Sequence, residues 1–284
     1  MKISIITVSY NSEKTIERTI QSVLSQTYDN IEYIIVDGKS EDGTIAIVNK
    51  YRSRIKRIVS EEDRGIYDAM NKGSELATGE WLLFLNSDDY LCADTVVGNV
   101  ISEIEMVRQD VHLVYGKTWY HFPSIGKTEL GGRAVKKTDF YFEQAIAHCS
   151  CFFKTEKFRE VGLYTLAIRG AADFEWYLRF FSKYDERNVY FISEPITIFQ
   201  DGGASFRFLW DNYKDKRELS KKYFPWHIAL LYSVGSPVYW LKYKLLWFMN
   251  NIALLGLYKK WKYAIVALLG KKRSAGKKTI RVNQ

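Results

Sequence analysis

The residues best suited to chemistry in this 284-residue chain are acidic. Asp88 and Asp89 follow Trp81-Leu-Leu-Phe-Leu85, an apolar run of strand length. Adjacent carboxylates repel, so a cation beside them lowers the cost of keeping both ionised. Few, hard oxygen ligands suit Mg²⁺ or Mn²⁺, with water and phosphate oxygens completing the shell. The same pair also reads as a solvated turn, with Asp89 or Asp94 capping the next helix. Asp37, before Gly38, is by itself an ordinary turn residue. Among other polar residues at strand ends, it becomes an acceptor for a base N–H or a ribose hydroxyl. Asp173 stands in Arg169-Gly-Ala-Ala-Asp-Phe-Glu175. Small residues before a carboxylate at a helix start leave room for a ligand, and the helix N-terminus favours the ionised form that a base needs. A plain N-cap is the competing reading of Asp173.

Other chemistries lack their residues. The first strand-to-helix turn, Val8-Ser-Tyr-Asn11, contains no glycine, which argues against dinucleotide binding and P-loop chemistry. No Gly-x-Ser-x-Gly elbow and no Cys–His signature points to a nucleophilic hydrolase. The four histidines show no ligand spacing. Cys92, Cys149 and Cys151 form no disulfide framework and read as reduced, structural cysteines of a cytosolic protein. The opening apolar run is too short for a signal peptide.

The elements that must position these residues follow from hydrophobic period. Strands are predicted at Ile3–Val8, Ile31–Val36, Ile55–Val59 and Trp81–Leu85. Helices between them begin after Ser12, Ser40 and Gly65, the first carrying Ile16, Ile20, Val23 and Leu24 on one face with Asn11 or Ser12 as its cap. This alternation predicts a parallel sheet with helices on both faces, whose ligands bind outside the carboxyl ends of the strands. Tyr10, Asp37, Glu61–Arg64 and Asp88-Asp89 all stand there. Farther on, a helix is expected over Asp94–Val107 and a strand over Leu113–His121. A mixture of helix and loop is expected over Arg133–Lys154. A helix over Asp173–Phe181, a strand over Tyr190–Phe199 and a flexible segment to Ala204 complete the body.

Charge divides the chain. Residues 209–284 hold 16 Lys and Arg against 3 Asp and Glu, and residues 1–208 hold 25 against 30. A mildly acidic body with a basic, aromatic tail does not fit a nucleic-acid reader with one basic face. It fits a body held on an anionic membrane surface. Tyr223–Leu241 is uncharged and of spanning length, but Pro225, His227, Gly235 and Pro237 interrupt it. Leu254–Leu269 has the two-sided pattern of a helix lying in the interface. The alternatives are a tail charged for solubility and a helical lid on the body.

Several runs together carry a resemblance: Thr7-Val-Ser-Tyr-Asn11, Ile34-Ile-Val-Asp-Gly-Lys-Ser-Glu-Asp-Gly-Thr44, Asp63-Arg-Gly-Ile-Tyr-Asp-Ala-Met-Asn-Lys-Gly73, Ala77-Thr-Gly-Glu-Trp81 and Phe84-Leu-Asn-Ser-Asp-Asp89. They resemble family-2 glycosyltransferases of the GT-A fold, over residues 1 to about 205. The Gly65–Gly73 run is similar to a bacterial subgroup that builds surface polysaccharides. The resemblance implies a Rossmann-like, mostly parallel α/β sheet with helices on both faces; with the charge division of the chain, a catalytic domain is expected over residues 1–208 and a basic, aromatic helical tail over 209–284. It implies inverting transfer from a nucleoside-diphosphate sugar, UDP by default, to a saccharide or lipid-linked acceptor. Val8, Tyr10 and Asp37 would hold base and ribose, and Asp88 the ribose or donor sugar. Asp89 would bind Mn²⁺ or Mg²⁺, and Asp173 would be the base. Asn86 stands where many relatives carry Asp and brings no charge. The implied place is cytoplasmic, peripheral on the inner face of the cell membrane. The other reading is an inactive nucleotide-sugar binder or a sugar nucleotidyltransferase. The absence of a Gly-rich first turn and the presence of Asp89 and Asp173 oppose it.

Overall fold

A computed structural model describes residues 1–107, 110–123, 126–141, 144–200 and 209–234. The elements of the body, in chain order, are β1 (Ile3–Ser9), α1 (Ile16–Leu24), β2 (Ile31–Asp37), α2 (Thr44–Lys50), β3 (Arg57–Ser60) and α3 (Ile66–Leu76). They continue with β4 (Trp81–Phe84), β5 (Tyr90–Leu91), α4 (Val96–Met106), β6 (Leu113–Phe122), β7 (Lys127–Gly131), β8 (Cys151–Lys154), α5 (Thr155–Val161), α6 (Ala172–Lys183) and β9 (Val189–Gln200). The sheet order is β3-β2-β1-β4-β8-β6-β9-β5, with β7 beside β6.

The parallel expectation holds for β3, β2, β1 and β4. Beyond β4 the sheet is mixed. β8 pairs antiparallel with β4 and β6, and β5 pairs antiparallel with β9. β8 falls where helix and loop were expected, because four residues are too few to display a period.

β1 is buried along all seven residues, so its β-branched run reads as continuous rather than alternating. Ile3 and Ile5 of β1, Tyr33 and Ile35 of β2, and Leu83 of β4 pack with Ile16 and Ile20 of α1, Val48 of α2 and Val97 of α4. On the opposite face, Phe84 meets Phe153 and Phe158, and Phe153 meets Trp176 of α6 edge-on at 5.0 Å. All four of these aromatic rings are buried, each stabilising by about 1.5–3 kcal/mol.

The expected cap of α1 is corrected. The helix starts after Thr15, without a side-chain cap bond. Asn11 has φ 48° and instead reaches across to the next loop. Its Oδ1 accepts the Glu41 N–H at 2.9 Å.

The chain divides into two compact units, the second comprising Tyr120–Leu130, Arg169–Ala171 and Gln200–Gln284. Within this second unit, α7 (Leu209–Tyr223) grips Gly170. Asp215 Oδ2 accepts the Gly170 N–H at 2.8 Å, and Asn212 Nδ2 donates to the Gly170 carbonyl at 2.8 Å. A Cβ at Gly170 would come 2.7 Å from Asn212 Cα, so only glycine allows this approach. After Pro225, α8 (Trp226–Val234) exposes Trp226, Leu230 and Leu231. No helix among the described residues is long and apolar enough to cross a membrane. The expected interfacial helix over 254–269, the terminal basic run and the segment 201–204 lie outside the described residues.

Candidate functional site

Strand pairing aligns Ser9 of β1, Asp37 of β2 and Ser60 of β3 in one row at the carboxyl ends. The Asp37 side chain is fully buried in that row. Its Oδ1 accepts from Ser9 Oγ at 2.9 Å and Ser40 Oγ at 2.5 Å. Its Oδ2 accepts from the Ser40 N–H and from Ser60 Oγ, each at 2.8 Å. Four donors fill the acceptor capacity of a carboxylate. Asp37 therefore organises the turn after β2, and a base or ribose reaching it would have to share these donors. Asn11 N–H donates to Ser40 Oγ, and Ser12 N–H donates to Thr44 Oγ1. These bonds join the loops after β1 and β2. The Val8 side chain is buried in the core, whereas Tyr10 is 57% exposed.

The loop after β4 is fastened to the same edge. Leu85 N–H donates to the Ile6 carbonyl and Ser87 N–H to the Val8 carbonyl. Ser87 Oγ lies 2.8 Å from Ser12 Oγ. Asp89 N–H donates to the Asn86 carbonyl, closing a turn, and Thr19 Oγ1 of α1 donates to the Asp89 carbonyl at 2.7 Å. These bonds place Asp88, half-buried, and Asp89, buried, beside the exits of β1. Burial, with the charges of Asp89 and Asp88 behind it, pushes the Cys149 thiol well above its ordinary range. Asn86 Oδ1 is buried with no hydrogen-bond partner among the described residues. No group of three or more His, Cys, Asp or Glu gathers as a metal cage among the described residues. Two carboxylates and an amide oxygen without a donor are a hard, incomplete set. Carboxylate and amide oxygens are the hard donor type that Mg²⁺ or Mn²⁺ takes, with water and substrate oxygens able to complete the shell.

Asp173 lies in the first turn of α6, half-buried. The structure brings Tyr67 and Gln144 to it, neither of which sequence reasoning singled out. Tyr67 OH donates to Oδ1 at 2.8 Å and Gln144 Nε2 donates to Oδ2 at 2.6 Å. Tyr67 reaches this place because Gly65 turns the chain into α3 with φ 112° and ψ 176°, a conformation open essentially only to glycine. Burial and the charge of Asp173 hold the Tyr67 phenol well above its usual range, so it remains a donor.

Tyr67 packs on Tyr164 at 5.4 Å, and Tyr164 OH lies 2.6 Å from His148 Nε2. His148 stacks on Phe84 at 5.4 Å. Burial lowers the His148 pKa, against the pull of Asp173. Asn71 of α3 fixes Tyr164, accepting its N–H and donating to its carbonyl, each at 2.9 Å. An aromatic chain thus runs from the end of β4 to the carboxylate of Asp173. Tyr67 and Asn71 stand one helical turn apart in the Gly65–Gly73 run, which is the signal that could have found them. Gln144 and His148 lie where the sequence shows no period.

Asp63 supplies one more carboxylate at this edge. Burial pushes it up, while its Oδ1 accepts the Gly65 N–H at 2.8 Å. Its Oδ2 fills the space that a Cβ at Gly38 would need.

Comparison with known proteins agrees with this architecture. The profile of Glycosyl transferase family 2 matches residues 4–162. A PGL/p-HBAD biosynthesis glycosyltransferase of Mycobacterium tuberculosis is 35% identical over 182 residues, covering 63% of this chain and 69% of that protein. An Escherichia coli UDP-Glc:alpha-D-GlcNAc-diphosphoundecaprenol beta-1,3-glucosyltransferase, WfaP, is 43% identical over 104 residues, covering 36% of this chain and 41% of that protein. Among solved structures, S. aureus TarS 1-349 in complex with UDP-GlcNAc superposes with a TM-score of 0.60 at 21% identity, over 78% of this chain and 66% of that one. The mannosyltransferase PcManGT from Pyrobaculum calidifontis, with GDP-Man and Mn²⁺, gives 0.62 at 17% identity, over 94% and 80%. With the profile spanning more than half of its length and the GT-A fold beneath it, the chain belongs to glycosyl transferase family 2.

Proposed function

We propose that this glycosyltransferase moves a sugar, with inversion, from a UDP-sugar to a saccharide or lipid-linked saccharide in surface polysaccharide assembly. The observation that carries the reading is one carboxylate, Asp173, held at both oxygens and partly open, near an edge where the loops after β1, β2 and β4 are tied together. Inversion by single displacement requires one base, unlike the carboxylate pair of a glycosidase. Tyr10, the exposed aromatic at the β1 exit, would stack on the base. Asp37 shapes the turn beneath it, and Val8 backs it from the core. Asp88 reaches the ribose or donor sugar. Asp89, with Asp88 and Asn86 beside it, would hold Mn²⁺ or Mg²⁺. When bound, the ion neutralises charge developing on the leaving diphosphate. Asp173 takes the proton of the attacking hydroxyl.

The acceptor class is supported by WfaP, whose name specifies a diphosphoundecaprenol-linked sugar. The tail then serves to hold the enzyme peripherally on the inner, cytoplasmic face of the membrane. The net +13 of residues 209–284 and the exposed Trp226, Leu230 and Leu231 support that role.

The test is a panel of UDP-, GDP- and dTDP-sugars with Mn²⁺, Mg²⁺ or EDTA, reading nucleotide release and the anomeric configuration of the product. Asp173→Asn should bind donor normally and lose transfer by about 10²–10⁴-fold. Transfer with retention of configuration, or full kcat in Asp173→Asn, would overturn the reading.

A further inference from the structure

The carboxylate of Asp173 is gripped from two directions by elements far apart in sequence. Tyr67, 106 residues earlier on α3, holds Oδ1, and Gln144, 29 residues earlier, holds Oδ2. A carboxylate held at one oxygen can still swing about its terminal torsion, which has broad minima. Held at both, it has a fixed plane. Each oxygen keeps lone-pair capacity after one bond, so neither grip blocks the arrival of a hydroxyl.

The Tyr67 ring is itself braced. It packs on Tyr164, whose main chain is clamped by Asn71 of the same helix as Tyr67. The Tyr67 hydroxyl is spent on Asp173, and the amide of Gln144 is likewise turned to the carboxylate at 2.6 Å.

We infer that Tyr67 and Gln144 are positioning residues that aim the Asp173 carboxylate at the acceptor hydroxyl. The inference rests on Asp173 being the base. In the step they serve, the acceptor oxygen forms a bond to the anomeric carbon while the bond from that carbon to the diphosphate oxygen breaks. The electron pair leaves with the diphosphate, and the hydroxyl proton passes to Asp173. Neither Tyr67 nor Gln144 gains or loses a proton. They fix the distance and direction over which the proton travels, and misplacement by about 1 Å can cost on the order of 10²-fold in rate.

The experiment compares Tyr67→Phe, Gln144→Leu, Asp173→Asn and the Tyr67→Phe/Asp173→Asn double variant in the full chain. Nucleotide release is followed from UDP-glucose, UDP-N-acetylglucosamine and GDP-mannose, with water alone and with GlcNAc-diphosphoundecaprenol. Donor affinity is measured separately by calorimetry. Tyr67→Phe keeps the ring, so thermal unfolding should change little. Its kcat, and that of Gln144→Leu, should fall about 10- to 100-fold while donor Kd stays constant. With Asp173 already an amide, losing the Tyr67 hydroxyl should cost no more than about twofold further, because the two act as one unit. If Tyr67→Phe and Gln144→Leu keep kcat within twofold while Asp173→Asn is inactive, the positioning role is wrong and the base assignment stands. If donor Kd weakens as much as kcat falls, or if the losses add in the double variant, the positioning role is likewise refuted. Full transfer by Asp173→Asn would overturn the base assignment and this inference with it.

Discussion

Replacing Asp37 separates two ways in which a strand-end aspartate can matter. Asp37 accepts four hydrogen bonds and is fully buried. Asp37→Ala removes every acceptor at once. The Ser40 N–H cannot turn elsewhere, and an unsatisfied buried donor costs about 1–3 kcal/mol. The hydroxyls of Ser9, Ser40 and Ser60 can rotate, so each loses only the net value of a bond to a charged group, reduced by relief of the buried charge. About 2–4 kcal/mol is the expected total, which moves a urea midpoint by about 1–2 M. Asp37→Asn behaves differently. With its oxygen toward the Ser40 N–H and Ser60, its NH₂ faces Ser9 Oγ and Ser40 Oγ, and both hydroxyls can accept. All four contacts survive, so the cost should stay within about 1 kcal/mol. Equilibrium urea unfolding followed by tryptophan fluorescence reads both variants. UDP titration into Asp37→Asn then reports whether the nucleotide also uses the carboxylate: a weakened Kd at unchanged stability assigns a direct contact, and an unchanged Kd assigns the turn alone. If alanine leaves the midpoint where it was, or if asparagine is as damaging as alanine, the hydrogen-bond reasoning fails.

Three other outcomes are expected. Asp89→Ala should abolish the Mn²⁺ dependence of UDP binding in calorimetry while the fold persists, and unchanged Mn²⁺-dependent binding would count against Asp89 as a ligand. The Glu32 carboxyl, 2% exposed, sits at about 2 against a usual 4.5, because burial, which raises it, is outweighed by bonds from Ser4, Thr78 and Lys2. A depressed carboxyl contributes stability above its unfolded pKa, and here up to about 3 kcal/mol should be lost as pH falls from about 4.5 towards about 2. Glu32→Gln should flatten that part of the pH–stability curve, and identical acid unfolding of the two proteins would contradict the assignment. The full chain should co-sediment with anionic vesicles, with high salt releasing part of it and detergent releasing all, whereas a chain ending at residue 208 should bind less. Equal binding by the shortened chain would favour a lid or a solubilising tail.

Of the parallel strands, the first, second and fourth and their exits were legible in the sequence alone, since buried parallel strands are continuous apolar runs that end at polar residues, whereas β3, a four-residue strand with both ends exposed, starts two residues after the expected Ile55. Ile3–Val8, Ile31–Val36 and Trp81–Leu85 differ from the observed β1, β2 and β4 by a residue or so. The five runs from Thr7–Asn11 to Phe84–Asp89 together sufficed to expect family 2 and its fold. The antiparallel half was not legible. β8 has four residues and β5 two, too short for any period to show, and their pairing is set by long-range register. Asp37 illustrates the limit within the site. Its position at a strand end follows from sequence, but that it is already engaged by Ser9, Ser40 and Ser60 depends on how β1, β2 and β3 align. Asp173 was found as a carboxylate near a helix start. Its two partners, Tyr67 and Gln144, come from segments 106 and 29 residues away, and only packing across the fold brings them within hydrogen-bond reach. Local sequence encodes period and turn chemistry, whereas the acceptor and donor pairs of a site are chosen by tertiary contacts between elements whose separation along the chain carries no such signal.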